Sequence, residues 1–343
     1  MFFKYIYVTK NLRKLKIFIT VFLLSVGINA QINLVSNPSF DNNTACPNIT
    51  GQYHLCINWL NCNGNIGPGL WGTPDYYHTC GIFNATYNPI PPNTALGFCN
   101  TRSGGGMMGI VSYNTPYPNY REYLSSNLTC AMQPGNTYTV SFWINTANPP
   151  KVRYNTSHFG VYLSGTMPTQ VGYNPIFVTP QFEITSIISN TVWTQYSFTI
   201  NPTSTFNWIT LGCFRPDATI LTSLATPTAA NPYSNWYLDD ISVVGPSNIP
   251  SITNVQNITC GSTNNGSATI TPVTAGSYTY NWQPGNFNTS SVSNLTAGIY
   301  TVTISNSCSS DTKTVSVVQQ TTPTITINNY TACSSASINI TAN

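Results

Sequence analysis

The chain has 343 residues, 41% hydrophobic and 13% aromatic but only 6% charged. Disordered chains pair few aromatics with high net charge, so this one must fold. Its surface, short of the roughly 25% charged residues of ordinary domains, must be solvated by its 42 Asn and 81 Ser and Thr residues. The formal charge of +3 belongs to a leader. Lys4, Lys10, Arg13, Lys14 and Lys16 fall in the first 16 positions, and without them six basic residues face eight acidic ones, a net of −2. No basic footprint is left to hold phosphates, which excludes nucleic acid as a partner bound by charge.

Residues 1–30 read as a signal peptide: basic residues, a 12-residue apolar run from Ile17 to Ile28, then Ala30 as the small residue for cleavage. Twelve helical residues rise about 18 Å against roughly 30 Å of hydrocarbon, too short for an anchor. No other stretch reaches 18 apolar residues, so the mature chain is expected to hold no transmembrane helix. All ten cysteines lie beyond Ala30, in a chain sent to an oxidising compartment, so disulfides are expected. No CxxC-type spacing offers a metal-thiolate site. Seven cysteines (Cys46, Cys56, Cys62, Cys80, Cys99, Cys130 and Cys213) fall in the first domain. Cys213, in an apolar strand pattern, is the one expected to be free and buried, and the other six leave 15 connectivities open.

Residues 31–246 show short alternating runs and no helix. Residues 46–106 are rich in Cys, Gly and Pro and read as long stapled loops. Tyr138, Val140, Phe142 and Ile144 then alternate with polar neighbours, as do Phe159, Val161 and Leu163; Tyr196, Phe198 and Ile200; and Ile209, Leu211 and Cys213. Period-two patterning punctuated by Gly, Pro and Asn predicts an all-β, antiparallel, jelly-roll-like sandwich. A Pro-rich joint, Gly245 to Pro250, closes this domain. Beyond it, Pro250 and Pro323 each precede a cysteine by ten residues, giving a period of 73. Each such unit is expected to be a small sandwich, the first over 250–320 with strands Ser267–Thr271, Tyr278–Trp282 and Ile299–Ser305, closed by a Cys260–Cys308 disulfide. Residues 322–343 read as the start of a second, truncated repeat, which implies a longer polypeptide.

Three blocks carry a resemblance in the second region: Cys260-Gly-Ser-Thr-Asn-Asn-Gly266-Ser-Ala-Thr, Tyr278-Thr-Tyr-Asn-Trp282-Gln-Pro-Gly285 and Leu295-Thr-Ala-Gly298-Ile-Tyr300-Thr-Val-Thr. In this order they resemble the SprB-type repeats of bacterial surface adhesins, a PKD/Ig-like family. Asn33-Leu-Val-Ser-Asn-Pro-Ser-Phe40-Asp, Gly72-Thr-Pro-Asp75-Tyr-Tyr-His, Tyr120-Arg121-Glu122-Tyr123-Leu and Trp236-Tyr-Leu-Asp239-Asp240-Ile-Ser-Val resemble the N-terminal domain of secreted proteins from gliding, type-IX-secreting bacteria. The opening and closing strands also resemble those of carbohydrate-binding jelly-roll modules. That resemblance implies a structural Ca²⁺ near Asp41 and the Asp239–Asp240 pair, where the apolar phase slips from Trp236 and Leu238 to Ile241 and Val243 and suggests a β-bulge. The plain alternative is that these carboxylates end strands and accept turn hydrogen bonds.

If the four patterned strands share one sheet, Trp143, Tyr162, Gln195 and Trp208 project from the face opposite the core, flanked by Trp193 and His158. Flat rings beside amides suit a sugar, which stacks its C–H face and directs its hydroxyls. Alternatively, the 46–106 loops cover this face as a second small core. Asp75 and His78, three apart, read first as part of a turn held by Cys80. Arg121 and Glu122 face opposite sides of a strand, and Arg121 suits a buried anchor as well as a ligand contact. Ser103-Gly104-Gly105-Gly106 lacks the Lys of a phosphate loop and reads as a flexible turn.

Glycoside hydrolysis takes two positioned carboxylates, and a Ser or Cys nucleophile needs a nearby His. The mature chain has only Glu122 and Glu183, six Asp, and His54, His78 and His158, with no nucleophile elbow or metalloprotease motif. The expectation is therefore a secreted, non-catalytic cell-surface adhesin that binds extracellular glycan or another surface component. A purely structural or protein-binding module stands second. A hydrolase stands third, to be revived by a cleft that brings Glu122 together with Asp75 or His78.

Overall fold

A computed structural model describes residues 32–64, 72–246, 249, 251–273, 276–306 and 308–321. Residues 1–30, expected to be a signal peptide, Trp71, and residues 322–343, expected to begin a second repeat, lie outside the described residues. The fold is all-β, as the alternation predicts. Two five-stranded antiparallel sheets face each other. Sheet I runs in the order Thr194–Ile200, Tyr138–Asn145, Trp236–Val244, Gly106–Ile110, Asp75–His78. Sheet II runs Leu60–Asn61, Tyr123–Met132, Phe206–Gly212, Phe159–Ser164, Phe182–Ile184.

Alternate residues fill the space between the sheets. Val140, Phe142 and Ile144 from sheet I meet Phe159, Val161, Leu163, Ile209 and Leu211 from sheet II in one buried cluster. Each such side chain contributes roughly 1.5–3 kcal/mol by leaving water. Strand Trp236–Val244 buries Trp236 and Leu238, then Ile241 and Val243. Its pairing with Tyr138–Asn145 shifts register between Asp239 and Ser242, and Asp240 takes a positive φ of 48°. The expected bulge is there, and it restores the apolar phase after the Asp pair.

The outer face of sheet I is not bare. Tyr77, Met107 and Tyr237 on that face pack with Leu96, Cys99, Ala147 and Val152 into a second small core. A three-stranded sheet, Thr222–Leu224, Val152–Thr156 and Asn231–Ser234, contributes to this layer. Leu96 and Cys99, from the loops of residues 46–106, thus help to cover one face, but none of Trp143, Tyr162, Gln195 and Trp208 is part of this second core.

Residues from Ile249 onward build a separate core. Strands Ser251–Gln256, Gly266–Pro272 and Ser291–Leu295 form one sheet, and Thr279–Gln283, Gly298–Ser305 and Ser310–Val317 form the other. Between them Trp282 is wholly buried, its indole N–H donating to the Thr289 carbonyl at 2.8 Å.

The disulfides differ from expectation. Cys46 pairs with Cys80, and Cys130 pairs with Cys308, joining the first sandwich to the second. Cys260 does not pair with Cys308; it is free and exposed beside the Gln320 carbonyl. Cys308 sits at the turn of the hairpin Gly298–Ser305/Ser310–Val317, whereas Gln320 lies past its open end. Eight paired residues span about 27 Å, far beyond the reach of one disulfide. Cys213 is free and buried as expected, but so are Cys56, Cys62 and Cys99. These three belong to three different clusters, where they pack as small apolar residues rather than meeting one another. Burial pushes the Cys62 and Cys99 thiols up to about 12, so they stay protonated. Peptide mapping without reductant should recover the Cys46–Cys80 and Cys130–Cys308 pairs, with Cys56, Cys62, Cys99, Cys213 and Cys260 alkylated after unfolding. A Cys260–Cys308 peptide would contradict the pairing described here.

Candidate functional site

The four aromatic and amide residues expected on one face divide between the two sheets. Trp143 and Gln195 are cross-strand partners on sheet I. Tyr162 and Trp208 lie on neighbouring strands of sheet II, where Tyr162 opposes Thr210 and Trp208 opposes Ser164. The core lies between the sheets, so the two pairs project from opposite sides of the sandwich. The premise of a single sheet fails because the chain crosses between sheets after Asn145, after Ile184 and again after Ile200. Trp143 is half-buried, with the Arg102 guanidinium 3.9 Å above its ring. Trp193 donates to the Asn100 carbonyl at 2.9 Å beside the second core. His158 stands apart from it, just before a sheet II strand, its Nδ1 2.6 Å from the Ser157 hydroxyl.

Asp41, Asp239 and Asp240 do converge, and what they hold is the Gly-rich turn. Asp41 accepts from the Gly105 and Gly106 N–H groups at 2.5 and 3.0 Å and from the Ser39 hydroxyl at 2.7 Å. Wholly buried Asp239 accepts from the Arg102 and Ser103 N–H groups at 2.8 and 3.3 Å. Asp240 pairs with the Arg102 guanidinium and accepts from the Ser103 hydroxyl at 2.7 Å. Calcium takes six to eight oxygens. Here the carboxylates are spent on N–H and O–H donors, so these residues as placed do not make a calcium shell. Among the described residues no group of three or more His, Cys, Asp and Glu side chains is set to hold a metal. Burial, and then the charge of Asp240, push the Asp239 carboxyl up to about 8. The turn read as flexible is clamped: Gly104 has φ +55°, and a Cβ there would collide with the Asp41 carboxylate. Gly104→Ala should cost roughly 2 kcal/mol, measured by urea denaturation; an unchanged midpoint would show the clamp to be dispensable.

Asp75 and His78 lie in one strand, Asp75–His78. An odd separation puts them on opposite faces, so they make no pair. Arg121 is fully buried and anchors structure: it pairs with Asp217 at 2.8 Å and donates to the Arg215 carbonyl at 2.6 Å. Glu183 is likewise committed, to Arg215 at 2.9 Å.

The prominent cavity, about 510 Å³, lies where the chain passes from sheet I to sheet II. Val111, just past strand Gly106–Ile110, and Glu122, just before Tyr123–Met132, are joined there: each donates its N–H to the other, Val111 to the Glu122 carboxylate at 2.8 Å and Glu122 to the Val111 carbonyl at 3.0 Å. Both Glu122 and Asp75 line this cavity, with Tyr87, Tyr120, Tyr233 and Asn114 among the other walls. Each acid is held by a tyrosine two residues away. Tyr77 donates to Asp75 at 3.0 Å and Tyr120 to Glu122 at 2.9 Å. The Gly51 N–H adds a 2.7 Å bond to Asp75. Burial pushes the Asp75 carboxyl up to about 6; burial and then the charge of Asp75 push Glu122 well above the usual carboxylate range.

Sequence reasoning named Glu122 with Asp75 or His78 only as the condition for a third-ranked hydrolase; the structure brings Asp75, not His78, to one cavity with Glu122. The pattern was present: Asp-x-Tyr at 75–77 and Tyr-x-Glu at 120–122 each place acid and phenol on one side of an extended chain.

A carboxyl whose folded pKa lies above its unfolded value binds its proton more tightly in the native state. Stability is then fully present near pH 4 and falls as pH rises through about 6. Asp75→Asn keeps an oxygen for the Gly51 N–H, reverses the Tyr77 bond so that the amide N–H donates to the phenol oxygen, and removes this loss, worth about 2–3 kcal/mol. Urea denaturation at pH 4 and pH 7 should show a flatter dependence in the variant than in the parent; equal slopes would contradict the buried-carboxyl account.

No protein-family profile matches the chain, and no curated protein matches it in sequence. Among solved structures, an arabinose-bound α-L-arabinofuranosidase aligns with TM-score 0.33 at 11% identity, over 65% of this chain. The alignment spans only 28% of that enzyme. A cleaved adhesin domain of Lys-gingipain from Porphyromonas gingivalis aligns with TM-score 0.32 at 14% identity, over 63% of this chain and 98% of that domain. The CBM22-1 xylan-binding domain from Paenibacillus barcinonensis gives TM-score 0.29 at 10% identity, over 63% and 97%.

Proposed function

We propose that the protein is an exported β-sandwich that binds an extracellular glycan in the cavity beside Asp75 and Glu122. It is carried on Ig-like repeats of the SprB kind and works in adhesion or retention at the cell surface, without catalysis. The observation that carries this reading is the composition of the cavity wall. Its size falls within the roughly 300–1,000 Å³ of small-molecule sites. Tyr87, Tyr120 and Tyr233 supply rings for the C–H face of a sugar, and Thr50, Thr86, Asn114 and Asn231 supply directed polar groups. Two disulfides support an oxidising compartment. No helix of the described residues is long and apolar enough to cross a membrane.

A glycan array and polysaccharide pull-down with the full chain test the reading. Tyr233→Ala should weaken binding at least about tenfold, or 1.4 kcal/mol, while Trp143→Ala and Trp208→Ala leave it intact. Loss in the Trp variants alone would move the site to a sheet face. No binding by folded protein would favour a structural segment.

The convergence of Asp75 and Glu122 favours a second reading, glycoside hydrolysis with Glu122 as the acid. New reducing ends released from a bound oligosaccharide, and lost in Glu122→Gln, would establish it in place of the first.

A further inference from the structure

Which sugar the cavity takes follows from what its wall contains and lacks. Asp75 and Glu122 are 9% and 4% exposed. The ion pairs among the described residues join Arg102 to Asp240, Arg121 to Asp217, Arg215 to Glu183 and Lys313 to Asp311, and neither cavity carboxyl takes part in one. Among the described residues, no Lys, Arg or His lines the cavity. Arg121, next to Glu122 in sequence, is turned away to Asp217 and the Arg215 carbonyl. Each oxygen of the two carboxyls takes one donor, from Gly51, Tyr77, Tyr120 and Val111, and keeps a second lone pair. A third acceptor is wholly open, since Asn114 is 8% exposed and its buried Oδ1 has no hydrogen-bond partner. Native proteins rarely leave such an atom unpaired. The wall is thus rich in acceptors, carries two carboxyls and has no cation of its own.

Resting on the glycan reading above, we propose that the ligand is a sugar bearing a protonated primary amine, a glucosamine-type unit rather than its N-acetylated form. Its ammonium would face the Asp75 and Glu122 carboxyls and the Asn114 Oδ1. An ammonium offers three donors and no acceptor, which matches three acceptor groups and supplies the missing counter-charge. Its charge also suits the faces of Tyr87, Tyr120 and Tyr233. N-acetylation removes the charge and leaves one N–H to serve all three acceptors. Burial already raises both carboxyl pKa values, so a bound cation relieves a cost the empty site carries. A lysine side chain offers the same ammonium, but the cavity is broader than an alkyl stem needs, and its Thr50, Thr86 and Asn231 groups suit ring hydroxyls.

Isothermal titration of the full chain against glucosamine hexamer, N-acetylglucosamine hexamer, cellohexaose and Nα-acetyl-lysine methylamide tests this. Measurements at both 0.15 M and 0.5 M salt separate the cavity from loose adsorption of a polycation, which salt screens. The glucosamine hexamer should bind at least tenfold more tightly than each of the others at both salt concentrations. Asp75→Asn/Glu122→Gln, checked for folding by circular dichroism, should abolish that preference, and Asp311→Asn, in the other sandwich, should not. Tighter or equal binding of the acetylated or neutral hexamer, sensitive to Tyr233→Ala, would overturn the amine inference and leave the glycan reading standing. Equal binding of the lysine amide would overturn the sugar selectivity. Silence from every sugar in a folded protein would remove both readings together.

Discussion

The buried carboxylate of Asp239 is the interaction on which the first sandwich turns. It sits at the bulge where the last strand changes phase, so the same kink keeps Trp236, Leu238, Ile241 and Val243 in the core and aims a carboxylate the other way. That carboxylate gathers the backbone of Arg102 and Ser103, and its neighbour Asp240 draws in the Arg102 guanidinium. Arg102 then roofs Trp143. Asp41 takes the other side of the turn, tying it to the chain's opening segment. One irregularity in a strand therefore connects the core, the glycine-rich turn and the outer face of sheet I.

Scarcity of charge gives the rest its character. With so few ionic groups, the structure satisfies its buried polar atoms with hydroxyls, amides and backbone. The Ser112 hydroxyl meets those of Thr156 and Ser234 at 2.6 and 2.7 Å, and Ser125 meets Thr210 at 2.8 Å. Neutral partners of this kind tolerate burial more cheaply than ions. Where a carboxyl stands in a cavity with phenols and no cation, as Asp75 and Glu122 do, it departs from the pattern the chain follows elsewhere.

Much of the fold was legible because strand alternation is a local property. Val140, Phe142 and Ile144 face inward by counting in twos, and the slip at Asp239 announced its bulge. Sheet membership was not legible. Tyr138–Asn145 and Phe159–Ser164 carry the same pattern, yet they lie in opposite sheets, since alternation says which way a side chain points relative to its strand and nothing about which layer the strand joins. The face proposed from Trp143, Tyr162, Gln195 and Trp208 failed for that reason. The disulfides failed for a related one: pairing depends on where chain ends meet in space, and Cys308 lies at the turn of a hairpin whose other end neighbours Cys260. The acid pair required seeing Asp75 on one sheet and Glu122 at the crossing to the other as neighbours.

The Cys130–Cys308 bond has a mechanical consequence. It closes a covalent loop, with a sequence separation of 178 residues, that spans most of both sandwiches. A pull between the segment before Cys130 and the segment after Cys308 travels through two sulfur atoms and bypasses everything between them. Strands Tyr138–Asn145, Phe159–Ser164, Phe206–Gly212 and Trp236–Val244, together with the whole run from Ser251–Gln256 to Gly298–Ser305, sit in the slack. The cavity straddles this boundary: Asn231 and Tyr233 belong to the shielded loop and Asp75 to the smaller one closed by Cys46–Cys80, while Glu122 belongs to the stretch of chain that bears the load.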